Sequence, residues 1–201
     1  MKKLLFLAVL VCFSLQVGAQ KLTTKQILDK TAKAVNTSTG VTAKFTFASA
    51  QTGTASGDIC LKGNKFRTTF ADMTVWFDGK TQWAYIKSTD EVNISTPNAN
   101  QKARMNPYTF ITLYKKGYNY THRQQGGNYV VHLTAQDKKA AMPTIDLTIR
   151  KTDFVPTKIV FTQAGKQHTI NIQQFKRQPL SDAIFVFNAK QYPDAEIIDL
   201  R

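Results

Sequence analysis

Residues 66–86 read FRTTFADMTVWFDGKTQWAYI, and this stretch decides the fold class. Aromatic and β-branched residues alternate with polar ones, so that Phe66, Thr68 and Phe70 fall on one side of an extended chain. Alternation with a period of two predicts half-buried β-strands. The pair Asp78-Gly79 separates two such runs and predicts a tight hairpin turn, in which both central residues adopt positive φ. The stretch therefore predicts consecutive antiparallel strands.

The same period of two continues on both sides of this stretch. Further strands are predicted in residues 41–47, 59–61, 92–94, 118–122, 129–133, 145–149, 154–162, 168–175 and 184–187. The apolar pair Ile197-Ile198 is left as a short tail. About ten strands at regular spacing predict a mainly β fold, with an antiparallel sheet that curls and can half-close around a cavity.

Two helices interrupt the strands. The first is expected to be capped by Thr24, and its residues at helical spacing on one side are Ile27, Leu28, Thr31 and Val35. The second follows a polar loop at residues 97–106, where Pro107 favours the first turn of a short helix. These patterns predict one N-terminal and one short central helix.

Composition bounds the class of protein. The chain has 201 residues and a formal net charge of +14, and 42% of its residues are hydrophobic. This length fits one domain, and this composition is globular rather than disordered. Two cysteines are too few for a small disulfide-stabilised scaffold.

Residues 1–19 have the pattern of a secretory signal peptide. Lys2 and Lys3 precede an apolar run, and Val17-Gly18-Ala19 offers a cleavage site before Gln20. We expect a domain of residues 20–201, whose net charge falls to +12 because two of the 27 basic residues are removed. A lipid-attached N-terminus at Cys12 is less favoured, since Val11 is not the small residue that this modification needs.

The sequence contains no arrangement of residues typical of an enzyme, a metal site or a cofactor site. His122, His132 and His168 lie on separate predicted strands, where surface positions are expected. The lysines and arginines are scattered, and no basic helix or RNA-binding motif accompanies them, so no nucleic-acid partner is expected. In an exported protein, the positive charge would favour contact with anionic lipid head groups or with an acidic partner. The alternative is that it only keeps the protein soluble.

Phenylalanine is unusually abundant, with thirteen in the chain. Phe45, Phe47, Phe66, Phe70 and Phe77 fall on consecutive predicted strands. A packed core and a cavity for an acyl chain would both use such residues, because an acyl chain gains about 0.8 kcal/mol for each buried methylene group. Composition alone leaves both interpretations open.

Three motifs resemble LolA-type outer-membrane lipoprotein carrier proteins. Residues 57–67, GDICLKGNKFR, are similar to that family's stretch of a hydrophobic strand, Lys, Pro/Gly-Asn and Phe-Arg, and residues 78–85, DGKTQWAY, resemble its Asp-Gly-Lys-x-x-Trp-x-Tyr hairpin. Asn106-Pro107-Tyr108 resembles the start of its lid helix, and residues 145–161 resemble its paired late strands. The likeness extends over most of residues 20–201, from the first helix to the last strand.

The resemblance implies an incomplete antiparallel β-barrel covered by helices, with an apolar cavity beneath a short central lid. It implies a monomeric, non-enzymatic periplasmic carrier without cofactors. Such a carrier would shield the acyl chains of lipoproteins, receive them from an inner-membrane lipoprotein-releasing transporter and pass them to an outer-membrane acceptor. The alternative is an exported envelope-binding module with a packed β-barrel core and a basic partner-binding surface.

The expected acyl-chain contacts combine the strand pattern with the resemblance. Phe66 matches the family's cavity aromatic, and Tyr108 matches a lid position. The full expected cavity set is Phe45, Phe47, Phe66, Phe70, Val75, Phe77, Tyr108, Phe110 and Ile111. The family's lid-holding arginine has no direct counterpart at Gly63, so Arg67 is the nearest candidate for a lid or partner contact.

The leader pattern generates the first prediction. Cleavage after Ala19 gives a mature N-terminus at Gln20 without attached lipid. N-terminal sequencing and mass measurement of the exported protein check this outcome. A diacylated Cys12 would contradict it.

Overall fold

The computed structural model describes residues 21–51, 53–98 and 109–201. In these ranges two α-helices, α1 (Thr24–Val35) and α2 (Thr109–Thr112), accompany twelve strands. The strands are β1 (Val41–Ser49), β2 (Gly53–Lys62), β3 (Lys65–Phe70), β4 (Met73–Phe77), β5 (Gln82–Ile86), β6 (Glu91–Ser95), β7 (Tyr118–Gln125), β8 (Asn128–Ala135), β9 (Thr144–Arg150), β10 (Pro156–Gln163), β11 (Lys166–Arg177) and β12 (Glu196–Asp199). The mainly β prediction is confirmed. The expected signal peptide and the Asn106-Pro107-Tyr108 motif lie outside the described residues.

All twelve of these strands belong to one open, curved sheet. Their order is β12-β6-β5-β4-β3-β2-β1-β11-β10-β9-β8-β7. Every neighbouring pair is antiparallel except β12 and β6, which run parallel. The sheet is not a closed barrel, because β7 and β12 stand at opposite ends of the order.

The turns follow local chemistry, with one departure from expectation. Gly126 in the β7–β8 turn has φ +53°, and Ala164 and Gly165 in the β10–β11 turn both have positive φ, as tight hairpins require. Asp78 does not adopt positive φ, so the predicted form of its turn is wrong. Its carboxylate instead accepts hydrogen bonds from the backbone of Lys80 (2.8 Å) and Thr81 (2.7 Å), which stabilises a wider turn.

Helix α1 begins with a reciprocal cap. The Thr23 side chain accepts a hydrogen bond from the Gln26 backbone, and the Gln26 side chain accepts one from the Thr23 backbone. The cap therefore lies one residue before the predicted Thr24. The buried side of the helix begins with Ile27 and Leu28 and ends with Val35.

The inner face of the sheet carries two apolar clusters, and α1 contributes to both. The first cluster includes Ile27, Leu28, Leu133, Ile145, Leu147, Ile149, Ile159 and Phe161. The second includes Ala32, Val35, Val41, Leu61, Phe66, Val75, Phe77 and Ile111. The two ends of one short helix thus bind the two halves of the sheet.

The C-terminal segment differs from its prediction. Residues 184–187 were expected as a strand, but Asp182–Phe185 form a 3₁₀ helix that begins at the side-chain cap of Ser181. The predicted apolar tail, Ile197-Ile198, instead forms part of β12. The strand prediction is wrong because this segment crosses the outer face of β3 and β4 and so has no free sheet edge beside it.

This crossing creates a second buried region on the outer face. Strand alternation places Trp76 and Val92 on the side opposite Phe77, and both are buried. The Trp76 ring lies 5.5 Å from the Phe187 ring and 5.8 Å from the Tyr192 ring, measured between centroids. The tryptophan therefore joins the C-terminal segment to the sheet.

Ion pairs fix the start of the same segment. The Asp182 carboxylate lies 2.9 Å from the ammonium groups of both Lys62 and Lys65, which flank the β2–β3 turn. The Lys62 ammonium also donates a hydrogen bond of 2.8 Å to the Leu180 carbonyl. The Lys65 and Lys62 ammonium groups hold the pKa of Asp182 below its ordinary value.

We predict that Phe185→Ala lowers the free energy of unfolding by about 3–5 kcal/mol, the usual cost of emptying a buried phenylalanine site. Phe185 is fully buried, whereas the adjacent Val186 is 42% exposed. Val186→Ala is the matched control and should cost less than about 1 kcal/mol. Urea unfolding followed by circular dichroism checks both values, and equal small losses would contradict a second buried region.

Candidate ligand-binding cavity

An apolar cavity of about 140 Å³ lies where the two inner-face clusters meet. The lining residues are Val35, Val41, Ala43, Phe45, Ile59, Leu61, Thr68, Ile111, Pro156, Ile159, Ile170, Ile172 and Phe175. Two of them come from α1 and α2, and the rest come from β1, β2, β3, β10 and β11. The sheet therefore forms most of the wall, and the helices close one side.

Register brings the lining residues of neighbouring strands together. Val41 pairs with Leu61 and Ala43 with Ile59, so alternate positions of β1 and β2 point inward at the same level. Phe45 pairs with Gly57, and a methyl group on Gly57 would lie only 2.5 Å from the phenylalanine ring. Glycine is needed there because the Phe45 ring occupies the space above it.

A bulge in β11 adds one aromatic wall residue. Ile170 and Ile172 face inward by alternation, but the pairing of β1 and β11 shifts between Thr42 and Lys44. Gln174, at this irregularity, has φ +49°. The extra residue reverses the alternation, so Phe175 also faces the cavity.

The lining offers almost no hydrogen-bonding capacity. Among the described residues of the wall, Thr68 alone has a polar side chain, and its hydroxyl already donates to the Asp58 carbonyl at 3.0 Å. None of these described wall residues is titratable. Such a wall suits a hydrocarbon and lacks the groups that acid–base or nucleophilic chemistry requires.

The expected cavity residues fall into several places. Phe45 and Ile111 line the cavity. Phe66, Val75 and Phe77 lie beside it, in the second of the two inner-face clusters. Phe47 packs against the first cluster, and the Phe70 ring lies 5.7 Å from both the Phe45 and Phe47 rings. Tyr108 lies outside the described residues, as does the side chain of Phe110, whose backbone belongs to α2.

Arg67 lies on the outer face. It pairs with Cys60 and Trp76, whereas the inward positions of β3 are Phe66 and Thr68. Alternation therefore places Arg67 away from the cavity, so it does not lie where a contact with α2 was expected. Its Nε atom is buried and has no hydrogen-bond partner among the described residues.

Sequence reasoning missed the aliphatic part of the wall. Ile59, Ile159, Ile170 and Ile172 line the cavity, although the expected set contained no residue from their strands, β2, β10 and β11. The missed signal was their alternation, which places them on the same face as Phe45. His168 also differs from its predicted surface position, because its ring stacks between those of Phe47 and Phe161 on the inner face.

A second, polar pocket of about 290 Å³ lies between α1 and the 3₁₀ helix Leu113–Lys115. Asp29, Ala32, Lys33, Asn36, Tyr114 and Lys115 line it. The Asp29 carboxylate accepts a hydrogen bond of 2.8 Å from Lys25 and one of 2.6 Å from the Tyr114 hydroxyl. These two donors, with Lys25 the stronger influence, lower the pKa of Asp29.

Two further properties concern the described ranges as a whole. Within residues 21–51, 53–98 and 109–201, no helix has the length and hydropathy that a membrane span requires. In the same ranges, no histidine, cysteine, aspartate and glutamate side chains gather in threes as metal ligands would.

The Asp29 contacts predict a pH-dependent stability difference between the wild type and Asp29→Asn. Because the folded-state pKa is lowered, the carboxylate contributes stability above its unfolded value and loses it as pH falls through the folded value. The advantage of the wild type should be constant above about pH 5 and shrink below about pH 4. Urea midpoints at a series of pH values from neutral to strongly acidic measure it, and a pH-independent difference would contradict the ion pair.

Several solved structures are similar to this chain to different degrees. A conserved protein from Thermus thermophilus, described as uncharacterized, superposes with a TM-score of 0.60 at 18% identity, covering 87% of this chain and 98% of that one. A LolA superfamily protein from Nitrosomonas europaea gives 0.42 at 13% identity, with coverages of 83% and 99%. LprF from Mycobacterium bovis gives 0.45 at 10% identity, with coverages of 78% and 94%. A search of curated proteins found no match.

The sequence model described as "Outer membrane lipoprotein carrier protein LolA" matches residues 15–166. This range contains α1, α2, β1–β10 and most of the cavity wall, whereas the C-terminal segment that covers the outer face lies beyond it. The resemblance inferred from the three motifs is confirmed, and the chain belongs to the LolA family of outer-membrane lipoprotein carrier proteins.

Proposed function

We propose that the protein carries the acyl chains of lipoproteins in the cavity of its inner face. The observation that supports this proposal is the composition of the wall, where twelve of the thirteen described lining residues are apolar and the hydroxyl of the thirteenth, Thr68, is satisfied. An acyl chain gains about 0.8 kcal/mol for each methylene group removed from water. Because almost no polar groups line the wall, every methylene group of the acyl chain can be buried against apolar side chains.

Cargo binding requires the cavity to widen. A dry apolar cavity of roughly 150 Å³ holds one benzene-sized molecule, and this cavity measures about 140 Å³. The strands of the wall are tied by ladder hydrogen bonds, whereas α1 and α2 contribute only Val35 and Ile111. Displacement of the helices is therefore the less costly route, and α2 acts as a lid in this proposal.

The carrier works without catalysis or a cofactor, as a monomer in the periplasm. It receives acylated lipoproteins from an inner-membrane lipoprotein-releasing transporter and delivers them to an outer-membrane acceptor. The family description, which names outer-membrane lipoproteins, supports the class of cargo in this proposal.

The alternative, an envelope-binding module with a basic surface, predicts an inner face without function as a binding site. Its support is the net charge of +14. The two proposals differ in one measurable respect. Only the carrier requires space in the cavity that no side chain of the protein fills. A substitution that fills the cavity while preserving the fold separates them.

We predict that Ala43→Leu abolishes acyl-chain binding and leaves the protein folded. Ala43 lines the cavity, and a leucine side chain there occupies space that is otherwise vacant, so little strain is expected. Ala48→Leu is the matched control, since Ala48 lies on the same strand at an outward position. Displacement of a fluorescent acylated peptide measures binding, and circular dichroism verifies folding.

Normal binding by a folded Ala43→Leu protein would contradict the carrier at this cavity. Equal loss in both leucine variants would also contradict it, because the outward residue does not contact the cargo space. Wild-type protein that binds no acylated peptide would favour the basic module.

A further inference from the structure

The polar pocket between α1 and the 3₁₀ helix Leu113–Lys115 contains the exposed side chains of Lys33 and Lys115. Lys33 and Lys115 both line it, and neither makes an ion pair or a side-chain hydrogen bond to any described residue. Asn36 adds a side-chain amide. The pocket therefore presents several hydrogen-bond donors and two positive charges to a ligand.

Asp29 is the acidic residue that lines this pocket, and both of its carboxylate oxygens already accept a hydrogen bond. One carboxylate oxygen accepts from Lys25 at 2.8 Å, and the other accepts from the Tyr114 hydroxyl at 2.6 Å. Lys115 adds only a weaker attraction through space, the least of the influences on the pKa of Asp29. Lys33 and Lys115 consequently keep their hydrogen-bond donors available for an anion rather than for Asp29.

The pocket lies beside the apolar cavity along both helical segments. On α1, Ala32 lines the pocket and Val35 lines the cavity, and both belong to one buried cluster. On the following segment, Ile111 lines the cavity and Tyr114 lines the pocket three residues later. About one helical turn thus separates a hydrocarbon site from a cationic site on each element.

We propose that Lys33, Lys115 and Asn36 bind an anionic group, a carboxylate or a phosphate, at the polar end of the acylated cargo whose chain enters the cavity. The inference rests on the proposed function, because it needs a chain in the cavity, and it adds the chemistry of the ligand's polar end. An ammonium group that meets an oxyanion forms a charge-assisted hydrogen bond, which is stronger than a neutral one. The ligand class is therefore a chain with an anionic head.

Three probes of equal chain length test the head group: dodecyl phosphate, dodecanoate and dodecanol. We expect the wild type to bind the two anions at least about tenfold more tightly than dodecanol, in line with charge-assisted contacts. Preference for dodecyl phosphate identifies a phosphate head, and preference for dodecanoate identifies a carboxylate. Raising the salt concentration should weaken binding of the anions alone, because salt screens partly exposed charges.

The decisive variant is Lys33→Gln with Lys115→Gln, compared with Lys30→Gln with Lys116→Gln. The control removes the same charge from the same part of the fold, but neither of its residues lines the pocket. We expect the pocket variant to lose about tenfold in affinity for its preferred anion and the control less than about twofold. Dodecanol binding should be the same in all three proteins.

The remaining outcomes distinguish failure of the head-group site from failure of the proposed function. Equal affinity of the wild type for dodecanol and the anions, or equal losses in the two double variants, would overturn the head-group site and leave the carrier intact. A wild type that binds none of the three probes would overturn both the site and the proposed function. Circular dichroism of both variants verifies that any loss reflects binding rather than unfolding.

Discussion

One broad sheet with an apolar inner face has to be covered by very little helix, and the rest of the structure depends on this constraint. Twelve described strands, spaced about 4.8 Å apart, extend over roughly 50 Å along the curved sheet. Helix α1 has 12 residues and is therefore only about 18 Å long. The helix meets both inner-face clusters but cannot fill the space between them, and the cavity lies there.

The outer face of the sheet is covered by further contacts, whereas the inner face is incompletely filled. The C-terminal segment packs Phe187 and Tyr192 on Trp76, and Asp182 ties it to the β2–β3 turn. The C-terminal segment therefore packs on the outer face of β3 and β4, the strands that carry Phe66 and Phe77 on the inner face. The separation of the outer face from the inner face that carries the cavity follows directly from the period of two along each strand.

The sequence predicted the parts of this fold that depend on local pattern. Alternation located β1 to β11, and the N-terminal helix was predicted to within one residue of its cap. The segment around Ile184 was misassigned because its β-prone residues meet a sheet face rather than an edge, which no local pattern reveals. Ile197-Ile198 was missed as a strand because its partner, β6, lies about a hundred residues earlier in the chain.

The candidate site was predicted in kind but only partly in its residues. Phe45 and Ile111 were identified, whereas the isoleucines of β2, β10 and β11 were not, since the pairing of β1 with β2 and β11 that brings them beside Phe45 is not visible in the sequence. The inward position of Phe175 could not be predicted, because it depends on a bulge beside Gln174. Arg67 was placed by resemblance, and strand alternation puts it on the other face.

Location of the acyl chain itself tests the central claim most directly. An acylated peptide carrying a nitroxide at the end of its chain can be bound to protein with labelled isoleucine and leucine methyl groups, and paramagnetic broadening then reports proximity. The account predicts strong broadening of Ile59, Ile170 and Ile172, which line the cavity, and little for Ile197 and Leu200, which lie in or next to β12 at the far end of the sheet. Broadening confined to the outer-face Ile197, or none at all with the peptide bound, would contradict a cargo site on the inner face.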